Sequence, residues 1–275
     1  MTIDIPQTAI APLVDPERID ALDTRWDEAL RHMVATLYPS TPPHEDTPNT
    51  VLARESQANF IRHPDTQLLV GIAGPGAVGK GTLGRYLASE LGFSKVINTT
   101  TRPRREGEVD GLDYFFVDHQ AFTTTQALGQ FALSLERLGR GMYGISHEEI
   151  TRKLDTGKTG CIFEENPANI IKLLSEAETP QAQAVLLYIL PGYPIMENSL
   201  AHLTHRLSLE QNQAKQTLTP EIFESTLGDR QIDEFRALAE LTDHPSITPL
   251  FIVNDDLGVA KAQLTSILGD TNAAA

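Results

Sequence analysis

Cysteine is nearly absent. One residue, Cys161, stands in 275, which excludes a disulfide framework and any metal site built from clustered cysteines. Basic residues are scarce as well: 22 Lys+Arg face 37 Asp+Glu, for a formal net charge of -15. Nothing global therefore attracts a nucleic acid or an acidic membrane. No apolar run reaches the roughly 20 residues that a membrane-spanning helix needs. The opening stretch MTIDIPQTAI is acidic and has no signal-like apolar core, so a cytoplasmic location is expected. What remains is ordinary globular usage, with 40% hydrophobic and 21% charged residues and length for one large or two small domains.

Composition changes near residue 66. The segment before it holds 8 of the 17 prolines, with 11 acidic and 5 basic side chains. Asp15-Pro16 reads as the cap and first residue of a helix. Ile19, Leu22, Trp26, Leu30, Met33 and Leu37 follow at helical spacing and stop before Pro39. That stripe needs a surface to cover, either a packing layer or a contact in a homodimer. PSTPPHEDTP (39–48) reads as a linker, and 49–63 as a short helix of poor periodicity. The chain thus divides into an N-terminal helical extension (1–66) and a second unit (67–275).

From residue 67 strands and helices alternate. QLLVGIA (67–73) is a buried-strand run, followed by a glycine loop and a helix through Leu91, with Gly92 placed as its terminating glycine. Apolar runs at 161–163, 184–190 and 249–253 alternate with helical stretches at 147–156, opened by a Ser146…Glu149 capping box, and at 166–176, opened by Asn166-Pro167. Alternation of this kind predicts a parallel α/β sheet covered on both faces, a three-layer architecture. The tail TNAAA is expected to fray.

The sharpest local signal is GIAGPGAVGKGTL (71–83). It fits G-x-x-x-x-G-K, follows a predicted strand and opens a predicted helix. In such a loop the backbone N–H groups of Gly74, Pro75, Gly76, Ala77, Val78 and Gly79 (proline lacking one), continuing through Lys80, Gly81 and Thr82, turn around phosphate oxygens. The helix N-terminus and the Lys80 ammonium add positive potential. Gly81 stands where Ser or Thr is usual, and Thr82 follows; adenylate-kinase-like sequences also read G-K-G-T. The loop predicts a nucleoside triphosphate with magnesium and leaves the phosphoryl acceptor open.

NTTTRPRREGEVDGLDYFFVD (98–118) sets Arg102, Arg104 and Arg105 within four residues of an otherwise acidic chain. Converging guanidinium forks suit a doubly charged monophosphate, and a Tyr114 hydroxyl adds a neutral donor. Here the sequence resembles the guanylate kinase family, whose acceptor segment reads T-T-R-x-x-R-x-G-E-x-x-G-x-D-Y. Thr100, Thr101, Arg102, Arg105, Gly107, Glu108, Gly111, Asp113 and Tyr114 fill it without a gap. GMYG (141–144) is similar to the family's N-Y-Y-G, and FIVNDDL (251–257) to its V-I-V-N-D-D-L. The resemblance spans roughly residues 67–268.

That resemblance implies a P-loop kinase with an inserted acceptor-binding lobe at about 98–146 and a helical lid at about 195–230. It implies transfer of the ATP γ-phosphoryl group to GMP, with Mg2+, between small nucleotides. Gly74 to Thr82 would cradle the donor phosphates, Lys80 would bridge donor and transferred group, and Asn254 would sit near the donor adenine. Arg102, Arg105, Tyr114 and Tyr143 would hold the acceptor monophosphate. The lid stretch HLTHRLSLEQNQAKQTLTPE (202–221) offers Arg206 and Lys215, and Arg230 aligns with a lid-flanking arginine; Arg230 and Arg206 are the expected charge stabilisers.

The base-reading positions depart from the family. Its serine before T-T-R is Asn98, the glutamate of its F-x-E-W falls at Leu133 or Ser134, and its aspartate maps near CIFEENPAN (161–169), where Glu164, Glu165 or Asn166 stands. Losing a carboxylate on the guanine edge should cost several kcal/mol of discrimination. FALS followed by Y-G also resembles ribose-bisphosphate kinases of phosphonate metabolism, which need no base pocket. Another nucleoside monophosphate or ribose 1,5-bisphosphate is thus an alternative acceptor. A non-catalytic protein-binding module of the same fold is a third reading, opposed by the intact Lys80 loop. Glu164 is in addition placed to organise magnesium, His202 and His205 read as surface histidines without a third metal ligand, and Cys161 reads as packing.

Overall fold

The computed structural model describes residues 14–41, 46–63, 65–137, 139, 141–156, 159–176, 182–210 and 218–269, the side chains of 208–210 excepted. The first ten residues, part of the proline-rich linker, Lys215 and the TNAAA tail lie outside them.

The buried runs form one parallel sheet: β1 (Gln67–Ala73), β2 (Phe93–Lys95), β7 (Gly160–Glu164), β8 (Ala182–Pro191) and β9 (Ile247–Asn254), in the order β2-β7-β1-β8-β9. Alternation along β1 sorts the two faces. Leu68, Val70 and Ile72 pack with Leu83 and Leu87 of α3 (Lys80–Glu90) and with Ala260 and Leu264 of α10 (Leu257–Leu268). Leu69 and Ala73 face the other layer with Ile170 of α6 (Pro167–Glu176). The fold is the expected three-layer P-loop kinase architecture.

A second sheet forms the acceptor lobe. It runs β4-β3-β6-β5, from β3 (Thr99–Thr100), β4 (Phe115–Phe116), β5 (Phe131–Arg137) and β6 (Gly141–Ser146). α4 (His119–Ala127) covers it through Phe122, whose ring lies 4.6 Å from that of Phe131. β6 leads into α5 (His147–Thr156). Ser146 Oγ accepts from the Glu149 N–H at 3.1 Å, so half of the expected capping box is present. The Glu149 carboxylate instead accepts the Ile97 N–H at 3.0 Å, tying α5 to the chain entering the lobe.

The lid region comprises α7 (Ile195–Glu210), α8 (Pro220–Leu227) and α9 (Arg230–Ala239). Against it lies α1 (Pro16–Leu37), capped by Asp15. Its apolar stripe is spent within the chain: Leu22, Trp26, Leu30 and Met33 are fully buried, and Trp26 meets Phe235 edge-on at 5.4 Å. α2 (Pro48–Asn59) covers β9, the edge strand of the main sheet. Its periodicity is poor because polar residues face that edge. Asn49 Nδ2 donates to Pro191 O at 2.7 Å, Ser56 Oγ accepts the Phe251 N–H at 2.9 Å, and Gln57 Nε2 donates to Phe251 O at 3.2 Å. Side chains here do what a further strand would do, and they cap the edge.

Candidate active site

β1 stops at Ala73, and the chain turns through the glycine loop into α3. Gly74 has φ +145, and a side chain there would put its Cβ 2.4 Å from Ile189 O. Gly79 has φ +96, with Asn254 Nδ2 2.6 Å from such a Cβ. Neither position admits another residue without displacement. Ala77 also takes a left-handed conformation, φ 67, a strain of the kind stored at functional loops. Gly79 offers no side-chain cap to α3, so the first N–H groups of the helix are left to an external acceptor.

Lys80 Nζ donates to Gly74 O and Pro75 O, both at 2.7 Å. The loop is folded around its own lysine. Burial lowers the Lys80 pKa, with Glu234 and Glu164 opposing and Arg230 and Arg206 assisting. Both arginines thus act electrostatically on the lysine. Arg206 lines the cavity over the loop, about 620 Å³ in volume, with Ala77, Gly79, Lys80, Gly81, Thr82, Glu164 and Asn254, a size suited to a nucleotide. Arg230 begins α9 outside that lining, its side chain 70% exposed and 3.5 Å from Glu234 Oε1.

One placement differs from expectation. His202 and His205 are on the cavity wall rather than on a remote surface. His202 Nε2 pairs with Asn254 O at 2.9 Å, and burial lowers its pKa. One helical turn brings 202, 205 and 206 to the same side of α7, a convergence that the i, i+3, i+4 spacing carried in principle. Asn254 is nearly buried, and its amide donates to Val78 O at 2.8 Å. It braces the phosphate loop while also lining the donor cavity.

Glu164 ends β7 opposite Ile72. Its Oε1 lies 3.4 Å from where a Cβ on Gly84 would be and 3.9 Å from one on Gly81, beneath the first turn of α3. It has no hydrogen-bond or ion-pair partner among the described residues. That matches a magnesium site in which one carboxylate and substrate phosphates share a largely hydrated ion. No group of three His, Cys, Asp or Glu residues among the described ones forms a metal cage.

The acceptor cluster lies apart from the donor cavity. Arg102 makes a two-pronged pair with Glu108 at 2.7 and 3.0 Å. Its guanidinium stands 5.2 Å over Tyr114 and 5.6 Å over Phe116. The Glu108 carboxyl is held below its ordinary pKa first by Arg102 and then by the Arg105 N–H. The Arg105 side chain is exposed. Tyr114 and Tyr143 meet at 6.0 Å; burial raises the Tyr114 pKa. Arg102, Tyr114 and Tyr143 are therefore together, with Arg105 one turn of chain away.

Ser134 faces away from the tyrosines. β5 and β6 pair Leu133 with Ile145 and Leu135 with Tyr143, whereas Ser134 opposes Gly144. Alternation puts Ser134 on the far side of the sheet from Tyr143, where Gln126 of α4 donates to its hydroxyl at 3.0 Å. The residue on the Tyr143 side is Leu133. Asn166 is also otherwise engaged: its Oδ1 accepts the Asn169 N–H at 2.9 Å and caps α6. The carboxylate buried at this junction is Glu165, which pairs with Arg137 at the end of β5. Sequence reasoning passed over Arg137. Asn98 is half-buried, its carbonyl accepting the Phe115 N–H at 2.9 Å. Cys161 is fully buried, its thiol pushed up to about 12.

The family model described as guanylate kinase matches residues 66–270. The chain belongs to the guanylate kinase family. The guanylate kinase of Symbiobacterium thermophilum is 32% identical over 215 residues, covering 73% of this chain and 84% of that protein. That of Thermosynechococcus vestitus is 33% identical over 202 residues, 70% of this chain and 89% of the other. A crystal structure of guanylate kinase from Anaplasma phagocytophilum has 20% identity and a TM-score of 0.43, covering 74% of this chain and 85% of that one. Among the described residues no helix is long and apolar enough to cross a membrane.

Proposed function

We propose that this guanylate kinase family member transfers the γ-phosphoryl group of ATP to GMP, giving ADP and GDP. The observation that carries the reading is the meeting of a lysine-bearing phosphate loop under a 620 Å³ cavity with a separate Arg102–Tyr114–Tyr143 cluster. In this reading residues 67–275 are the kinase unit, with its acceptor lobe and lid, and 1–66 an extension. A homodimer through α1 would have to use the outward polar face of that helix, since its apolar stripe is already covered.

Donor phosphates would lie against the amides of Gly74 to Thr82, and Lys80 would exchange two carbonyls for phosphate oxygens. Magnesium, held by Glu164, would neutralise charge on the donor. Arg102, Arg105, Tyr114 and Tyr143 would orient the acceptor phosphate for in-line attack. Arg206 and Arg230 would approach the transferred group as the lid closes. Positioning and charge neutralisation supply most of the rate in such a reaction.

One observation favours a second acceptor class. Leu133 and Ile145 make the inner face of β5–β6 aliphatic where a guanine-reading carboxylate would be needed, so another nucleoside monophosphate or ribose 1,5-bisphosphate competes with GMP. ADP formation from Mg-ATP with GMP, dGMP, AMP, CMP, UMP and ribose 1,5-bisphosphate separates the readings. Preference for GMP or dGMP supports the first, preference for another acceptor the second. ATP binding without turnover on any acceptor points to a binding module.

A further inference from the structure

β5 ends at Arg137, a cation belonging to neither the acceptor motif nor the lid. Its guanidinium carbon stands 4.8 Å from the centre of the Tyr143 ring, and one terminal nitrogen donates to Glu165 Oε1 at 2.5 Å. Glu165 belongs to the core, in the loop after β7. Its side chain is only 3% exposed and also accepts from Asn169 Nδ2 at 3.0 Å and the Asn166 N–H at 3.2 Å. The carboxylate is thus built into the core, and the arginine reaches it from the lobe. The Arg137 side chain is itself 44% exposed. Of its five N–H donors, those on one nitrogen serve Glu165, and the others have no partner among the described residues.

Strand register says which end of the acceptor site this is. Leu133 pairs with Ile145, Leu135 with Tyr143 and Arg137 with Gly141, so one strand face runs from aliphatic to cationic. Gly141 abuts the Arg102 backbone: a Cβ there would lie 3.1 Å from the Arg102 main-chain nitrogen. Arg137 therefore sits at the end where Arg102 approaches Tyr143. Arg102 is closed there, its fork filled by Glu108 and its side chain 11% exposed. An anion entering beside Tyr143 meets in Arg137 a guanidinium whose remaining donors are unfilled among the described residues. A single contact to Glu165 orients the plane and leaves the rest of the fork available, which a two-pronged pair would not.

We propose that Arg137 is a direct ligand of the acceptor phosphate in this chain, and that Glu165 is the positioning residue that aims it from the core. The group recognised is a phosphomonoester dianion, whatever it is attached to. The inference rests on the phosphotransferase reading above and deepens it: a cation added at the acceptor end suits a site whose base-facing wall has lost its carboxylate.

The test combines steady-state kinetics of the full chain with equilibrium binding of GMP, AMP, CMP and guanosine. Arg137→Gln should raise the KM and Kd of the acceptor monophosphate by at least about tenfold while the KM for ATP stays within about twofold. Guanosine, which has no phosphate, should bind wild type and variant alike. Glu165→Gln should move the acceptor KM in the same direction by a smaller factor. Arg137→Lys should recover part of the affinity, and it carries the test if the glutamine variant fails to fold. An unchanged acceptor KM in both Arg137 variants overturns the proposal, as does equal weakening of GMP and guanosine. If the wild type prefers AMP or CMP, the guanine reading fails while the same loss is still expected on the preferred monophosphate. A wild type that binds no monophosphate overturns both.

Discussion

Lys80 Nζ donates to two carbonyl oxygens of its own loop, Gly74 O and Pro75 O, so the lysine sits at the centre of the turn that the glycines shape. Lys80→Ala should lower kcat on the order of 10²–10³-fold, the range seen when one charge-stabilising donor is removed, with the melting temperature little changed. An unaltered kcat in purified variant would take the lysine out of the mechanism. The motif around it was legible because each requirement is local: glycines where φ is positive, a strand before, a helix after. The T-T-R segment was legible through its resemblance to the guanylate kinase pattern, and in the structure Arg102, Glu108 and Tyr114 close on one another within that one stretch of chain. The choice between Leu133 and Ser134 was not legible, because it depends on which face of β5 turns to Tyr143, and that is set by pairing with β6.

At the scale of elements, α1 is the clearest case of a sequence pattern without an address. Its stripe declared a buried face, and the surface it covers is α9 with α7. Ion pairs to the end of α8 and the start of α9 reinforce that contact: Arg18 with Glu224 at 2.7 Å and with Asp229 at 3.3 Å, and Arg25 with Asp229 at 2.5 Å. Both acids flank the turn that leads to Arg230. Met196 N–H also donates to Asp23 Oδ1 at 2.9 Å, so α1 helps to start α7. Exposed pairs of this kind contribute little energy, and the apolar contact dominates. Trp26→Ala should cost about 3–5 kcal/mol of unfolding free energy, the usual range for a buried large aromatic, measured by urea denaturation. A loss near zero would mean that α1 is not docked on the lid helices in solution. α2 shows the converse: its weak apolar period reflects an inner face that mixes Val51 and Leu52 with Asn49 and Ser56, whose side chains bond the strand backbone.

For the molecule as a whole, the ionisable groups pull stability in opposite directions. Glu224, beside Arg18, is held below its ordinary pKa, so its contribution is present at neutral pH and is lost on acidification. Glu234 is the reverse. Burial raises its pKa above 4.5, against the pull of Arg230 and Lys80, so the folded state binds the proton more tightly than the unfolded one. Its contribution is fully present below the unfolded pKa and is lost as pH rises through the folded value. The stability of Glu234→Gln relative to wild type should therefore increase as pH is raised from about 4 towards neutrality. A difference that stays flat across urea titrations at those pH values would show that Glu234 is not buried as described. The same balance matters to the site, because Glu234 and Glu164 share the field that keeps Lys80 charged.

Strand, loop and helix from 67 to 91, the three-layer alternation and the acceptor segment were determined by the sequence itself, because hydrophobic period, backbone freedom and close charge pairing act over a few residues. Tertiary structure alone decided that His202 faces the donor cavity, that Asn254 braces the loop, that Leu133 rather than Ser134 lines the acceptor face, and that Arg137 meets Glu165 across the lobe–core junction. The Arg137–Glu165 and Asn254–Val78 pairings join residues 28 and 176 positions apart. No local preference encodes them; they exist only once sheet register and helix packing have brought the separate surfaces together.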